Sequence, residues 1–208
     1  SFVREAKDVR ELREFLGEKA NKIKIIAKIE DQEGVRNLDE IVQEADGIMV
    51  ARGDLGVEVN FYELPTIQRR IVRTCAEQGK RVIVATHLLE SMIQNPVPTR
   101  AEVSDVANAV LDGTDAVMLS AETAAGKYPV ETVEHMANIA LEAESADEAV
   151  LNADFISSKF GRIDQSIAMG ALFTAHHLGC KAIIALTESG STALWMSRHS
   201  IKVPIYGL

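Results

Sequence analysis

Ile25-Ile26-Ala27-Lys28-Ile29-Glu30, followed after a helix-spaced run by Gly47-Ile48-Met49-Val50-Ala51-Arg52-Gly53-Asp54-Leu55-Gly56, decides the fold. Each stretch opens as a short, nearly continuous aliphatic run, the pattern of a strand in a covered parallel sheet, and each ends on charge. The first strand is predicted from Lys22 to Lys28. Gly34 then leads into Val35, Leu38, Ile41, Val42 and Ala45 at helical spacing. Gly47 to Ala51 is the second strand, and Leu64, Ile67, Ile71, Val72 and Cys75 mark one face of the helix after it.

The same rhythm continues outward. Arg81 to Thr86 reads as a third strand, and a linker with Pro96 and Pro98 leads to Thr99-Arg100-Ala101-Glu102, a capping-box pattern. The helix it opens carries Val103, Val106, Ala107, Val110 and Leu111 on one face. Asp115 to Leu119 is a fourth strand, and Pro129 starts a helix presenting Val130, Val133, Met136, Ala137 and Ala140. Ser1-Phe2-Val3-Arg4 reads as the end of a further strand with its helix from about Asp8 to Leu16, which makes about five βα units. The class is α/β with a parallel sheet, either a partial (β/α)8 TIM-type barrel or a doubly wound sheet. Reactive residues recurring at strand carboxyl ends favour the barrel, although doubly wound sheets bind ligands there too.

From about Leu141 to Ser158 the chain turns acidic and Ala-rich and the rhythm breaks, which places a domain boundary between 1–145 and 146–208. Beyond it a helix from about Asp164 to Leu178 precedes strands at Lys181 to Thr187 and Val203 to Gly207, with a helix starting near Gly190 between them. With no initiating methionine and no upstream partner for the first strand, the chain reads as a fragment.

Composition narrows the partners. A formal charge of -9 disfavours nucleic acid and anionic membrane surfaces, which call for clustered Lys and Arg. No apolar run approaches a spanning helix and no signal-peptide pattern opens the chain, so the expected location is cytoplasmic. Cys75 and Cys180 lie far apart and read as packing residues.

The chemistry concentrates at strand ends. Glu30 and Asp54 are oxygen ligands of the kind that hold Mg²⁺ while substrate phosphate and water complete the octahedron. Lys28 precedes Glu30 by two, so both side chains share a strand face; a Lys-Glu surface pair on an edge strand fits the same spacing. Gly53 and Gly56 let backbone N–H groups approach an anion, and serve equally as plain turn glycines. Thr86 offers a hydroxyl at the third strand end. His87 has no partner at metal-ligand spacing, and His176-His177 at a helix end do not share a face as a chelate requires. Thr187, Ser189, Gly190, Ser191 and Thr192 follow a strand and open a helix, a setting that suits a phosphate and ordinary N-capping alike.

The motifs quoted above, with Pro98-Thr99-Arg100-Ala101-Glu102, Asp105 to Ala109, Leu88 to Met92 and Met118-Leu119-Ser120-Ala121-Glu122-Thr123, closely resemble pyruvate kinase over essentially the whole chain. The resemblance runs from the second half of the catalytic barrel into the regulatory domain. It implies glycolytic phosphoryl transfer from phosphoenolpyruvate to ADP, giving pyruvate and ATP. It implies Mg²⁺ (or Mn²⁺) on Glu30 and Asp54, with potassium as a further cofactor. Lys28 becomes the cation that stabilises the phosphoryl group in flight, the Gly53 and Asp54 N–H groups receive the substrate carboxylate, and Thr86 assists proton delivery to the enolate through ordered water. The Thr187–Thr192 loop matches a sugar-phosphate effector site of an allosteric enzyme, and the helix from Thr99 packs at an interface of a homotetramer. Asp31, His87 and Ala121 stand where Asn, Gln and Gly are common in the family. The first three barrel strands, the lid domain and several substrate-binding arginines are missing, so the isolated chain is expected to lack turnover. Two other readings remain: a Mg²⁺-dependent barrel lyase or aldolase on pyruvate-like substrates, and a noncatalytic effector-binding or assembly module.

Overall fold

The structure, a computed structural model, describes residues 1–146, 161–199 and 203–208. It divides into two compact units, Ser1–Ala146 and Asp147–Leu208. Most of the acidic stretch expected to mark the boundary lies outside the described residues.

In the first unit, helix α1 (Ala6–Leu16) and a 3-10 turn precede strand β1 (Ile26–Ile29). Helices α2 (Gln32–Arg36) and α3 (Leu38–Glu44) lead to β2 (Gly47–Ala51), and α4 (Arg52–Glu58) and α5 (Leu64–Glu77) lead to β3 (Arg81–Ala85). Helix α6 (Arg100–Leu111) precedes β4 (Ala116–Met118), after which come α7 (Ala121–Ala124) and α8 (Pro129–Ala146). The four strands pair in parallel in the order β1-β2-β3-β4. Every crossover therefore steps to the next position in the same direction, as in a barrel, without the reversal of strand order that defines a doubly wound sheet.

The two sheet faces differ. Ala27, Ile29, Ile48, Val50, Val82 and Val84 are buried in one core together with Leu38, Ile41, Val42, Ile71, Val72, Cys75, Val106 and Ala109 of the covering helices. The alternate positions form rows across the ladder: Lys28 lies beside Met49, Met49 beside Ile83, and Ile83 beside Ala116. This second face is the one a barrel turns inward. The nearly continuous apolar runs follow, because both faces of each strand meet protein in that architecture.

Two details depart from the sequence reading. Ser1–Arg4 forms no strand, so the first of the five expected units contributes only its helix. Phe2 takes a positive φ of 54° and its N–H goes to the Glu30 side chain rather than into a ladder. Around Gly53 and Gly56, read either as letting N–H groups approach an anion or as plain turn glycines, the chain forms α4, anchored by the fully buried Leu55.

The capping box at Thr99 is present: Thr99 Oγ1 accepts from the Glu102 N–H at 3.3 Å, and Glu102 accepts from the Thr99 N–H at 2.7 Å. In the second unit, α9 (Ile163–His177), β5 (Ile183–Ala185), α10 (Ser191–Ser197) and β6 (Ile205–Gly207) enclose a small core of Ala168, Leu172, Ala185 and Met196. Strands β5 and β6 pair in parallel.

Candidate active site

The carboxyl ends of β1, β2 and β3 bring the charged residues together. Glu30 directly follows β1, on the face of Lys28, and its side chain is 1% exposed. Lys28 Nζ sits 2.6 Å from Glu30 Oε1, while Oε2 accepts from the Phe2 N–H at 2.5 Å. Asp54, in the first turn of α4, has its carboxyl beside that of Glu30. Burial pushes Glu30 up, but Lys28 and the Phe2 N–H together outweigh it and hold the carboxyl below its ordinary value. Glu30 is thus an anion in a dry wall, and Asp54 beside it is exposed.

Two acids this close repel unless cations lie between them, and Lys28 supplies a single charge. The donor set fits a hard divalent ion: two carboxylates, one buried and fixed and one facing solvent, leaving the remaining positions to substrate and water. No group of three or more His, Cys, Asp or Glu placed to hold a metal ion exists among the described residues. His176 and His177 end α9, where His177 packs against the Phe173 ring at 4.2 Å between centroids.

Thr86 and His87, just past β3, both take positive φ, 69° and 54°. For a β-branched residue this is an outlier, and it aims the hydroxyl: Thr86 Oγ1 accepts from the Gly53 N–H at 2.7 Å. One of the two backbone donors expected to receive a substrate carboxylate is therefore engaged by Thr86 in this state. The Thr86 hydroxyl itself donates to Ala85 O at 2.6 Å.

Two buried residues that the sequence reading left without a role frame this turn. Arg52, 7% exposed, donates to Thr86 O, His87 O and the Asp105 carboxylate. Glu122, 2% exposed, accepts from the Ser120 and Leu89 N–H groups. A charged residue one position past a buried strand was the available signal for Arg52, but charge at that point reads as solvated unless its partners are known.

The Thr187–Thr192 loop is exposed to partly buried and satisfies itself. Thr187 Oγ1 accepts from the Gly190 N–H at 3.0 Å, and the Ser189 hydroxyl bonds that of Ser191 at 3.2 Å. Gly190, the residue before α10, holds a left-handed φ of 77° that a side chain would oppose.

Fold and site together define a parallel βα-barrel protein with its ionic residues gathered at the strand carboxyl ends. The family model for the pyruvate kinase barrel domain matches residues 1–133, and that for the pyruvate kinase alpha/beta domain matches 165–208. The chain belongs to the pyruvate kinase family. It is 53% identical to a pyruvate kinase of Dictyostelium discoideum over 99% of its length and 42% of the relative's. It is 50% identical to one from Buchnera aphidicola subsp. Acyrthosiphon pisum, covering all of this chain and 44% of that one, and 51% identical to one from Bacillus licheniformis, covering 99% and 35%. The chain thus spans less than half the length of these relatives.

Proposed function

We propose that this chain carries the phosphoryl-transfer centre of a pyruvate kinase, moving the phosphoryl group of phosphoenolpyruvate to ADP and releasing pyruvate and ATP in glycolysis. The observation that carries the reading is the convergence of Lys28, Glu30 and Asp54 from neighbouring parallel strand ends. Glu30 and Asp54 would hold Mg²⁺ or Mn²⁺, which when bound supplies Lewis-acid neutralisation of phosphate charge.

The residues divide the work. Lys28, held at the mouth by Glu30, places a positive charge beside the phosphoryl oxygens as the bond to the enol oxygen breaks and the bond to the terminal ADP oxygen forms; such fixed charge supplies most of the catalysis in phosphoryl transfer. The enolate left behind takes a proton at its methylene carbon, and Thr86 sits at the third strand end to orient the water that delivers it. A substrate carboxylate arriving at the Gly53 and Asp54 N–H groups takes the place of Thr86 Oγ1 on Gly53, which frees that oxygen to turn toward substrate.

A lyase or aldolase of pyruvate-like substrates would use the two carboxylates equally well but gives Lys28 no task. In the second unit, which we assign to the effector domain starting near residue 146, the Thr187, Ser189, Gly190, Ser191 and Thr192 loop is the place for a sugar phosphate. Helix α6, with Val103 and Leu111 exposed, is the surface for assembly into a tetramer. Electron paramagnetic resonance of Mn²⁺ titrated into the chain, with and without phosphoenolpyruvate, tests the centre. Binding that tightens when phosphoenolpyruvate is added supports it, and Mn²⁺ binding indifferent to that compound refutes it.

A further inference from the structure

The turn that carries Thr86 is strained, and something must hold it. Thr86 and His87 are consecutive non-glycine residues at positive φ, a conformation that persists only where the surroundings hold it. Their carbonyls point at one guanidinium. Arg52 Nε and Nη2 each donate to Thr86 O at 3.1 Å, and Nη2 donates to His87 O at 2.8 Å. On its other edge the same group meets Asp105 of α6, Nη1 to Oδ1 at 2.9 Å and Nη2 to Oδ2 at 2.8 Å, with Gln68 of α5 3.4 Å away. The Arg52 side chain is 8% exposed and Asp105 40% exposed, so the guanidinium is largely out of water with the carboxylate at its solvent edge.

We propose that Arg52 is a positioning residue for phosphoryl transfer: oriented by Asp105, it locks the backbone of the left-handed Thr86–His87 turn and so sets the place from which the Thr86 hydroxyl meets the Gly53 N–H or, once substrate takes that donor, the substrate beside Asp54. The inference deepens the phosphoryl-transfer reading of this site and rests on it. Sequence adjacency makes the clamp tight. Arg52, Gly53 and Asp54 are successive residues of one helical turn, so the side chain that grips the β3 turn belongs to the same backbone that presents the carboxylate-binding N–H and the metal ligand. A planar fork suits this task and an ammonium does not, because two carbonyls and both oxygens of a carboxylate lie in its reach at once. Asp105, in turn, extends control of the turn to α6, whose far end bears no site residue.

Three variants of the 208-residue chain test this: Arg52→Met, Arg52→Lys and Asp105→Asn. Amide exchange followed by NMR is expected to quicken at Gly53 by about tenfold or more in Arg52→Met, and less in Arg52→Lys and Asp105→Asn, with β1 amides unchanged. In the Mn²⁺ titration, Arg52→Met should bind the metal alone as the unmodified chain does and lose most of the tightening caused by phosphoenolpyruvate. Gly53 exchange unaltered in all three variants would overturn the proposal. So would exchange that quickens uniformly through the barrel unit, because that outcome marks a purely structural arginine. If the unmodified chain shows no phosphoenolpyruvate effect, the phosphoryl-transfer reading fails, while the Gly53 exchange still decides whether the clamp exists.

Discussion

The strand ends of the first unit and the Thr187–Thr192 loop of the second use the same device, polar residues placed where a strand gives way to a helix, and reach opposite results. In the first, Glu30 is nearly inaccessible and its charge is fixed by Lys28 and the Phe2 N–H. In the second, the hydroxyls and the Gly190 N–H pair with one another in an exposed loop. Burial makes the difference: a carboxylate taken out of water must be answered by specific cations and donors, whereas an exposed hydroxyl can exchange its partner for water at almost no cost. On the proposed reading, a preorganised centre and an adaptable capture loop would be the functional counterparts of those two environments.

The largest effect that could break this contrast is loss of the Glu30 charge. Glu30→Gln leaves the shape intact, removes half of the fixed carboxylate pair and leaves Lys28 facing a neutral amide. Mn²⁺ affinity is expected to fall by about 100-fold, comparable to what outer partners of metal ligands contribute at their strongest. The matching change in the second unit, Thr187→Val, should leave Mn²⁺ binding unaltered within the error of the titration. Wherever turnover can be measured, Lys28→Met should lower kcat by about 10²–10³-fold, the usual consequence of deleting one preorganised electrostatic partner of the transition state, and a coupled pyruvate assay reads it.

Much of this contrast was legible in the sequence, for reasons particular to each residue. Lys28 and Glu30 could be put on one face because strand period is two, and the structure puts their head groups in contact. The strand-helix alternation was equally plain because aliphatic runs and amphipathic helices have different periods. Asp54 was named as a partner of Glu30, but its setting in a helical first turn was obscured by Gly53 and Gly56, which lower helix propensity locally; the buried Leu55 overrides them. Arg52 and Glu122 could not be found by pattern, because their meaning lies in carbonyl and N–H groups some 30 residues away. The Ser1–Arg4 stretch misled for the converse reason: a short segment with an apolar pair at its centre is a strand only if a neighbour offers a ladder, and here the Phe2 N–H is taken by a side chain.

Acid stability sharpens the comparison next. Asp46, at the amino end of β2, is pushed up by burial, yet the Ile25 N–H and the Arg13 guanidinium, 2.8 and 2.9 Å away, hold it below its ordinary 3.8. A carboxyl lowered on folding stabilises above its unfolded pKa, and that stability disappears as pH falls through the lower folded value. The barrel unit should therefore lose stability as pH drops below about 3.8, and Asp46→Asn should flatten that decline in a urea titration. At neutral pH the same substitution is expected to cost about 1.5–3 kcal/mol, the usual worth of hydrogen bonds to a charged group.

A smaller change is set by the N-cap of α6. Thr99 Oγ1 accepts the Glu102 N–H, while Glu102 receives the N–H and hydroxyl of Thr99 and of Ser91. Thr99→Ala should destabilise the barrel unit by about 1 kcal/mol, seen as a shifted urea midpoint with an unchanged slope. The Mn²⁺ titration should not move, since Glu30 and Asp54 belong to other elements.

The least effect belongs to an aspartate as accessible as Asp46, 24% against 23%, whose arginine is the exposed partner: Arg162 is 62% exposed and Arg13 31%. Asp164, at the start of α9, is lowered mainly by its hydrogen bond to Arg162, whose Nη2 lies 2.7 Å from Oδ2. The direction of the shift is that of Asp46, but water and salt reach the Arg162 guanidinium freely, and pairs with so exposed a cation typically contribute little. Arg162→Gln should leave the unfolding midpoint of the second unit nearly unchanged, and 1 M NaCl should erase what difference there is. The Asp46 contribution should survive the same salt, because Asp46 is bound from partly buried positions by a backbone donor as well as a cation. If salt removed both effects equally, burial would not be what separates the two units, and the distinction between a fixed centre and an exchangeable loop would have to rest on geometry alone.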